Sequence, residues 1–106
     1  MNDVLASLAA TIKSRRTAQA DVSYTRQLLD AGAERCARKF GEEAIEAVIA
    51  GVGQSKDELT AEAADVLYHL LVLLECRDVA LADVLAKLEQ RTAKSGIAEK
   101  AARSKS

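Results

Sequence analysis

Apolar residues recur along this chain at three- and four-residue intervals, the spacing that gathers them on one side of a helix. In "NDVLASLAATIKSRR", Val4, Leu5, Leu8, Ala9 and Ile12 share a face. Asn2 or Asp3 offers an N-cap there, and Lys13, Arg15 and Arg16 suit the C-terminal end of the helix dipole. A polar connection, "TAQADVS", ends at Ser23, which caps a short helix in "YTRQLLDAG" that stops at Gly32. A long helix is predicted over 33–50, ended by Gly51 and Gly53. "QSKD" makes the next turn, where Ser55 caps a further helix and Glu58 completes a capping box. That helix runs to Cys76 and breaks at "RDV". A last helix fills "LADVLAKLEQRT", with Asp83 early and Leu81, Val84, Leu85 and Leu88 in register. The two central helices, joined by a short turn, are predicted to form an antiparallel hairpin.

Composition supports helix throughout. The chain has 106 residues, 49% of them hydrophobic, with no proline and five glycines. That length suits a single domain spanning 1–106. The fold class predicted is all-α, a bundle of four to five helices built around the hairpin. Its last helix carries more Leu and Val than a monomer would cover, so dimerisation is expected to complete the bundle.

Charge excludes some partners and leaves others open. Lys and Arg total 15 against 16 Asp and Glu, a balance unlike that of a general nucleic-acid binder. "VLYHLLVLL" is nine residues long, far short of the roughly 20 that span a bilayer. "MNDVLASLAATIKSRR" is too polar for a secretory signal, so a soluble, cytoplasmic protein is expected. Cys36 and Cys76 lie outside any CxxC and read as buried free thiols, with a disulfide between them the less favoured alternative. The end of the chain, 94–106, is basic through Lys94, Lys100 and Arg103. It is either a solvated tail or an arm that reaches a phosphate-bearing ligand.

The acids of the hairpin do not follow the simple amphipathic pattern. At about 100° per residue, Arg35, Glu46, Lys39 and Glu43 fall within roughly 100° of Glu42, forming one charged stripe. On the following helix Glu58, Asp65 and His69 lie within about 60° of Glu62, while Leu67, Leu70, Leu71, Leu74, Ala63 and Ala64 cover most of the rest. So apolar a helix is expected to be mostly buried. Either stripe alone is most simply a solvated face. Together they place Glu43/Glu46 and Glu62/Asp65 across the hairpin from each other, with Arg35 and Lys39 the only bases near. An uncompensated buried carboxylate costs several kcal/mol, so such acids need a partner. Four oxygen donors from two helices suit a hard divalent cation, magnesium in particular. His69 is the only histidine, which argues against zinc, and no Glu-x-x-His pair of a di-iron bundle occurs. It reads as a packed residue or one lying behind the ligands. Tyr68 and Phe40 read as core or rim.

"EEAIE" followed about twenty residues later by "EAAD" resembles the motif pair of the all-α nucleoside triphosphate pyrophosphohydrolase superfamily. Within that superfamily the chain is similar to the phosphoribosyl-ATP pyrophosphohydrolase family of histidine biosynthesis. The likeness rests on "SYT", "LL" at Leu28 and Leu29, "KFGEEAIE", "EAADVLYHLLVLL", "DVLAKLEQR" and "SGIAEKAAR", which together span nearly the whole length. The resemblance implies magnesium-dependent hydrolysis of N1-(5-phosphoribosyl)-ATP to N1-(5-phosphoribosyl)-AMP and pyrophosphate. It assigns the metal to Glu43, Glu46, Glu62 and Asp65, and gives Glu42 a part in orienting water or binding a second ion. It also implies a homodimer and a stand-alone enzyme without a fused cyclohydrolase, while the charge balance and the short apolar run already point to no nucleic-acid or membrane partner. Candidates for substrate contact are Arg35, Lys39, Arg16, Lys94 and the segment Ser23, Tyr24 and Thr25. No chemistry follows from "SYT" itself, for which a helix cap is the simpler reading. A house-cleaning nucleotide hydrolase shares the same acids, and a non-enzymatic dimerisation module would leave them in solvent.

Overall fold

The computed structural model describes residues 3–19 and 23–93. Five α-helices follow one another: α1 (Asp3–Ser14), α2 (Tyr24–Ala31), α3 (Ala33–Gly53), α4 (Lys56–Cys76) and α5 (Leu81–Thr92), with a 3-10 turn, Arg15–Thr17, after α1. There is no strand among the described residues. The side-chain cap expected from Asn2 or Asp3 and the basic tail 94–106 fall outside the described part of the chain.

Capping chemistry sets most of the boundaries. Ser23 is extended and its hydroxyl accepts the Arg26 amide, which starts α2. Gly32 has φ +99°, a conformation that L side chains rarely adopt. Its amide donates to the Leu29 carbonyl and its own carbonyl accepts from Cys36, so one glycine ends α2 and opens α3. The longer α3 then runs past Gly51 to Gly53, beyond the boundary predicted at 50. Glycine permits a helix stop without enforcing one. Chain reversal falls instead on Gln54 and Ser55, both extended, so the turn is shorter than "QSKD". Ser55 and Glu58 form the expected capping box, with both reciprocal bonds present.

α3 and α4 pack against each other more extensively than any other pair, as an antiparallel hairpin. Near its tip, a Cβ on Gly51 would stand 3.7 Å from Leu59. The core lies at the opposite, open end. Ile12, Leu28, Cys36, Leu71 and Val72 are buried there, with Leu5, Leu8, Leu29, Tyr68, Cys76 and Leu81 packed around them. α1 and α2 therefore cover only the C-terminal half of α4. Before Val66, Glu62 alone among the residues of α4 is half-buried, and the others are exposed. The expectation of a mostly buried helix is met only from Val66 onward, because among the described residues it is chiefly α3 that packs against the rest.

α4 ends in a six-to-one turn. The Val79 amide donates to the Leu74 carbonyl at 2.9 Å across Asp78, which holds φ +57°. Arg16 clamps this turn through Glu75 and Asp78. α5 has no buried residue and meets the core through Leu81.

Candidate active site

Midway along the hairpin, α3 and α4 bring acids together as the stripe pattern anticipates. One carboxylate oxygen from each of Glu43, Glu62 and Asp65 lies within 4.8 Å of the others. Glu43 is buried, Glu62 half-buried and Asp65 exposed, so the cluster opens to solvent on the Asp65 side. Glu46 is exposed on α3 and stands outside this trio, though near enough to act electrostatically on Glu62. Glu42 lies at the rim, paired with Lys39.

Glu62 bears most of the cost of this crowding. Its Oε1 is buried and has no hydrogen-bond partner. Burial first, and then the charges of Glu46, Asp65, Glu43 and Glu58, push its carboxyl pKa above the ordinary glutamate value. The base paired with these acids is Lys39, whose Nζ is 3.6 Å from an oxygen of both Glu42 and Glu43. Tyr24 foremost, then Glu43 and Glu42, hold that ammonium above its usual range, against a lowering by burial. A single loosely held lysine does not balance the acids around it.

Beyond Asp65 by one turn, His69 is 7% exposed. Its Nδ1 lies 2.9 Å from the Asp65 carbonyl oxygen, and its Nε2 is buried without a partner. Tyr68 and Tyr24 meet the ring edge-on, at centroid separations of 4.9 and 6.3 Å. The sequence reading of His69 as a packed residue behind the acids describes this placement. It does not anticipate the aromatic frame around it.

"SYT" takes shape here. Ser23 is buried and its hydroxyl caps α2. The Thr25 hydroxyl bonds the Tyr68 phenol, tying α2 to α4. Tyr24, 49% exposed, stands edge-on to His69 and near enough to Lys39 to act on its ammonium electrostatically. No spacing rule in the sequence signals that position, because it depends on how α2 crosses the hairpin. Arg35 is exposed and makes no ion pair among the described residues. Arg16 is held by Glu75 and Asp78, and Lys94 lies outside the described residues.

Three carboxylates from two helices suit a hard cation. Oxygens bound to one magnesium at about 2.1 Å stand roughly 3 to 4.2 Å apart, so small side-chain rotations would bring this trio into range. The unpartnered Glu62 oxygen is the atom such an ion would satisfy.

Comparisons with known proteins identify the family of the chain. The family profile described as "Phosphoribosyl-ATP pyrophosphohydrolase" matches residues 5–92. A curated relative from Dinoroseobacter shibae, named phosphoribosyl-ATP pyrophosphatase, is 61% identical over 100 residues, covering 94% of this chain and 98% of its own. Relatives of the same name from Ruegeria pomeroyi and Cereibacter sphaeroides are 59% and 58% identical, covering 96% and 94% of this chain and 97% of each relative. No described helix is long and apolar enough to cross a membrane. The all-α chain with acids gathered inside its helical hairpin belongs to the phosphoribosyl-ATP pyrophosphohydrolase family.

Proposed function

We propose that this chain hydrolyses N1-(5-phosphoribosyl)-ATP to N1-(5-phosphoribosyl)-AMP and pyrophosphate, the second step of histidine biosynthesis, with magnesium as its cofactor. The observation that carries the reading is the Glu43, Glu62 and Asp65 cluster, with its buried, unpartnered Glu62 oxygen. These three residues would hold the ion, with Glu46 beside them as a fourth ligand or as a ligand to water. A bound magnesium supplies charge neutralisation and Lewis-acid polarisation to a triphosphate that carboxylates alone would repel.

The chain's own groups then divide the remaining work. Glu42 and Glu46, both exposed at the rim, are the candidates to accept the proton of the attacking water. Once the acids have a cation between them, Lys39 is free to turn its ammonium toward a phosphate. Tyr24 offers a phenol near Lys39. Arg35, Thr25, Ser23 and the tail residue Lys94 complete the candidate substrate contacts. Of these, Ser23 and Thr25 act through the position of α2, since both hydroxyls are already engaged.

A second copy of the chain is the expected partner, in the cytoplasm. Ile45, Val48, Ile49 and Val52 form one exposed apolar stripe along α3, and Leu59 and Leu67 are exposed on α4. A stripe of that length in water favours association. The whole chain, 1–106, is read as one catalytic domain.

One assay tests the reading. Purified protein with magnesium is expected to release pyrophosphate from phosphoribosyl-ATP and not from ordinary ATP. Asp65→Asn is expected to lower turnover by roughly a hundredfold or more, because metal-supplied stabilisation is worth several kcal/mol. Its helical circular dichroism should not change. Equal turnover of ATP would favour a general nucleotide hydrolase, and full activity in Asp65→Asn would remove the acid cluster from the mechanism.

A further inference from the structure

The chain contains two cysteines, and the fold brings them together. Cys36 lies in the first turn of α3 and is 1% exposed. Cys76 is the last residue of α4, half-buried, and packs against the same core cluster. Both thiols are free. The Cys36 thiol donates to the Leu28 carbonyl at 3.2 Å, and Cys76 packs against the cluster that holds it, near enough to act on that thiol electrostatically. Both lie at the open end of the hairpin, opposite the turn at Gln54 and Ser55 and therefore far from the covalent link between α3 and α4.

We propose that Cys36 and Cys76 are a redox pair, which a small-molecule disulfide converts to an intramolecular cross-link that clasps the open end of the hairpin. The order of events follows from burial. Cys36 cannot meet a bulky oxidant. Burial, and then the neighbouring Cys76, also push its thiol up to about 11, so it is protonated and inert on its own at neutral pH. Cys76 reacts first. Its thiolate attacks one sulfur of the oxidant, forming a mixed disulfide and expelling a thiolate. Cys36 then loses its proton, attacks the Cys76 sulfur and releases the second small thiol. The protein has given up two hydrogens and two electrons, and the oxidant disulfide has become two thiols. Closure requires the two sulfurs, neighbours in one core cluster, to approach to a bond of about 2.05 Å.

This inference is independent of the reaction proposed above, and neither thiol belongs to the acid cluster. Reduced full-length protein is incubated with oxidised glutathione, then analysed by thiol titration in denaturant and by intact mass. Both thiols are expected to disappear, with a mass loss of two hydrogen atoms and no glutathione retained. The cross-linked form should melt roughly 5 °C or more above the reduced form, since the bridge restricts the unfolded chain. Dithiothreitol should reverse both changes. Cys36→Ser should stop at one bound glutathione, and Cys76→Ser should leave the Cys36 thiol unreacted. The proposal is overturned if the wild-type protein keeps both thiols, retains a glutathione at Cys76, or cross-links only between chains. Because those outcomes are read on the wild-type protein, a misfolded variant would not obscure them.

Discussion

Glu62 illustrates how a single side chain records the demands of the site. Its carboxyl titrates above the ordinary glutamate value of 4.5, through burial first and through Glu46, Asp65, Glu43 and Glu58 after it. A carboxyl whose pKa is higher in the fold than in the open chain binds its proton more tightly when folded. Its contribution favours the fold at low pH and is lost as pH rises through the raised value. Metal-free protein is therefore expected to lose stability from Glu62 as pH climbs above 4.5, and Glu62→Gln should flatten that part of the profile. Thermal melts of both proteins in chelator across this range provide the measurement, and identical slopes would contradict it. At this scale the sequence was partly legible. Helical projection finds Glu43, Glu62 and Asp65 on facing stripes, but it resolves only angle around an axis. It carries no information on side-chain reach, which separates exposed Glu46 from the trio, or on the approach of Tyr24 from another helix.

Among the elements, the hairpin owes its sharpness to two residues between two 21-residue helices. Ser55 satisfies the Glu58 amide and Glu58 returns the bond, so the start of α4 is fixed by local chemistry. Ser55→Ala is expected to cost about 1 kcal/mol, read as a lowered denaturation midpoint with an unchanged denaturant slope. Such local rules are what a sequence displays most openly. They locate the caps at Ser23 and Ser55 and the stop at Gly32. They fail at Gly51, because glycine permits a helix stop without enforcing one and α3 runs on to Gly53. Asp78 is also invisible to them: it holds a positive φ as a non-glycine residue, and its ion-pair partner Arg16 is distant in sequence.

Across the whole molecule, cover is uneven. α1, α2 and the start of α5 close over one end of the hairpin, while Ile45, Val48, Ile49 and Val52 stay in water, Val52 at 86% exposure. A symmetric homodimer joined along this stripe is expected to sediment as a stable species at micromolar concentration. Ile49→Lys should shift it toward monomer, since a charge buried at the centre of an interface costs several kcal/mol. A stable folded wild-type monomer would contradict the assignment. The amphipathic pattern told which residues are apolar, but not which of them one chain alone covers.

That unevenness also bears on how the backbone breathes. Amide exchange reports local openings, which are easiest where few packed side chains must separate. The amides of α4 beyond Val66 lie under the core and are expected to exchange only through global unfolding. Those nearer the tip have, among the described residues, chiefly α3 packed against them and should exchange through smaller, cheaper openings. Glu43, Glu62 and Asp65 lie where the two regimes meet. A cation gripped by both helices at that point would be a rivet between the firm half of the hairpin and the loose one, slowing exchange toward the tip while leaving the base unchanged.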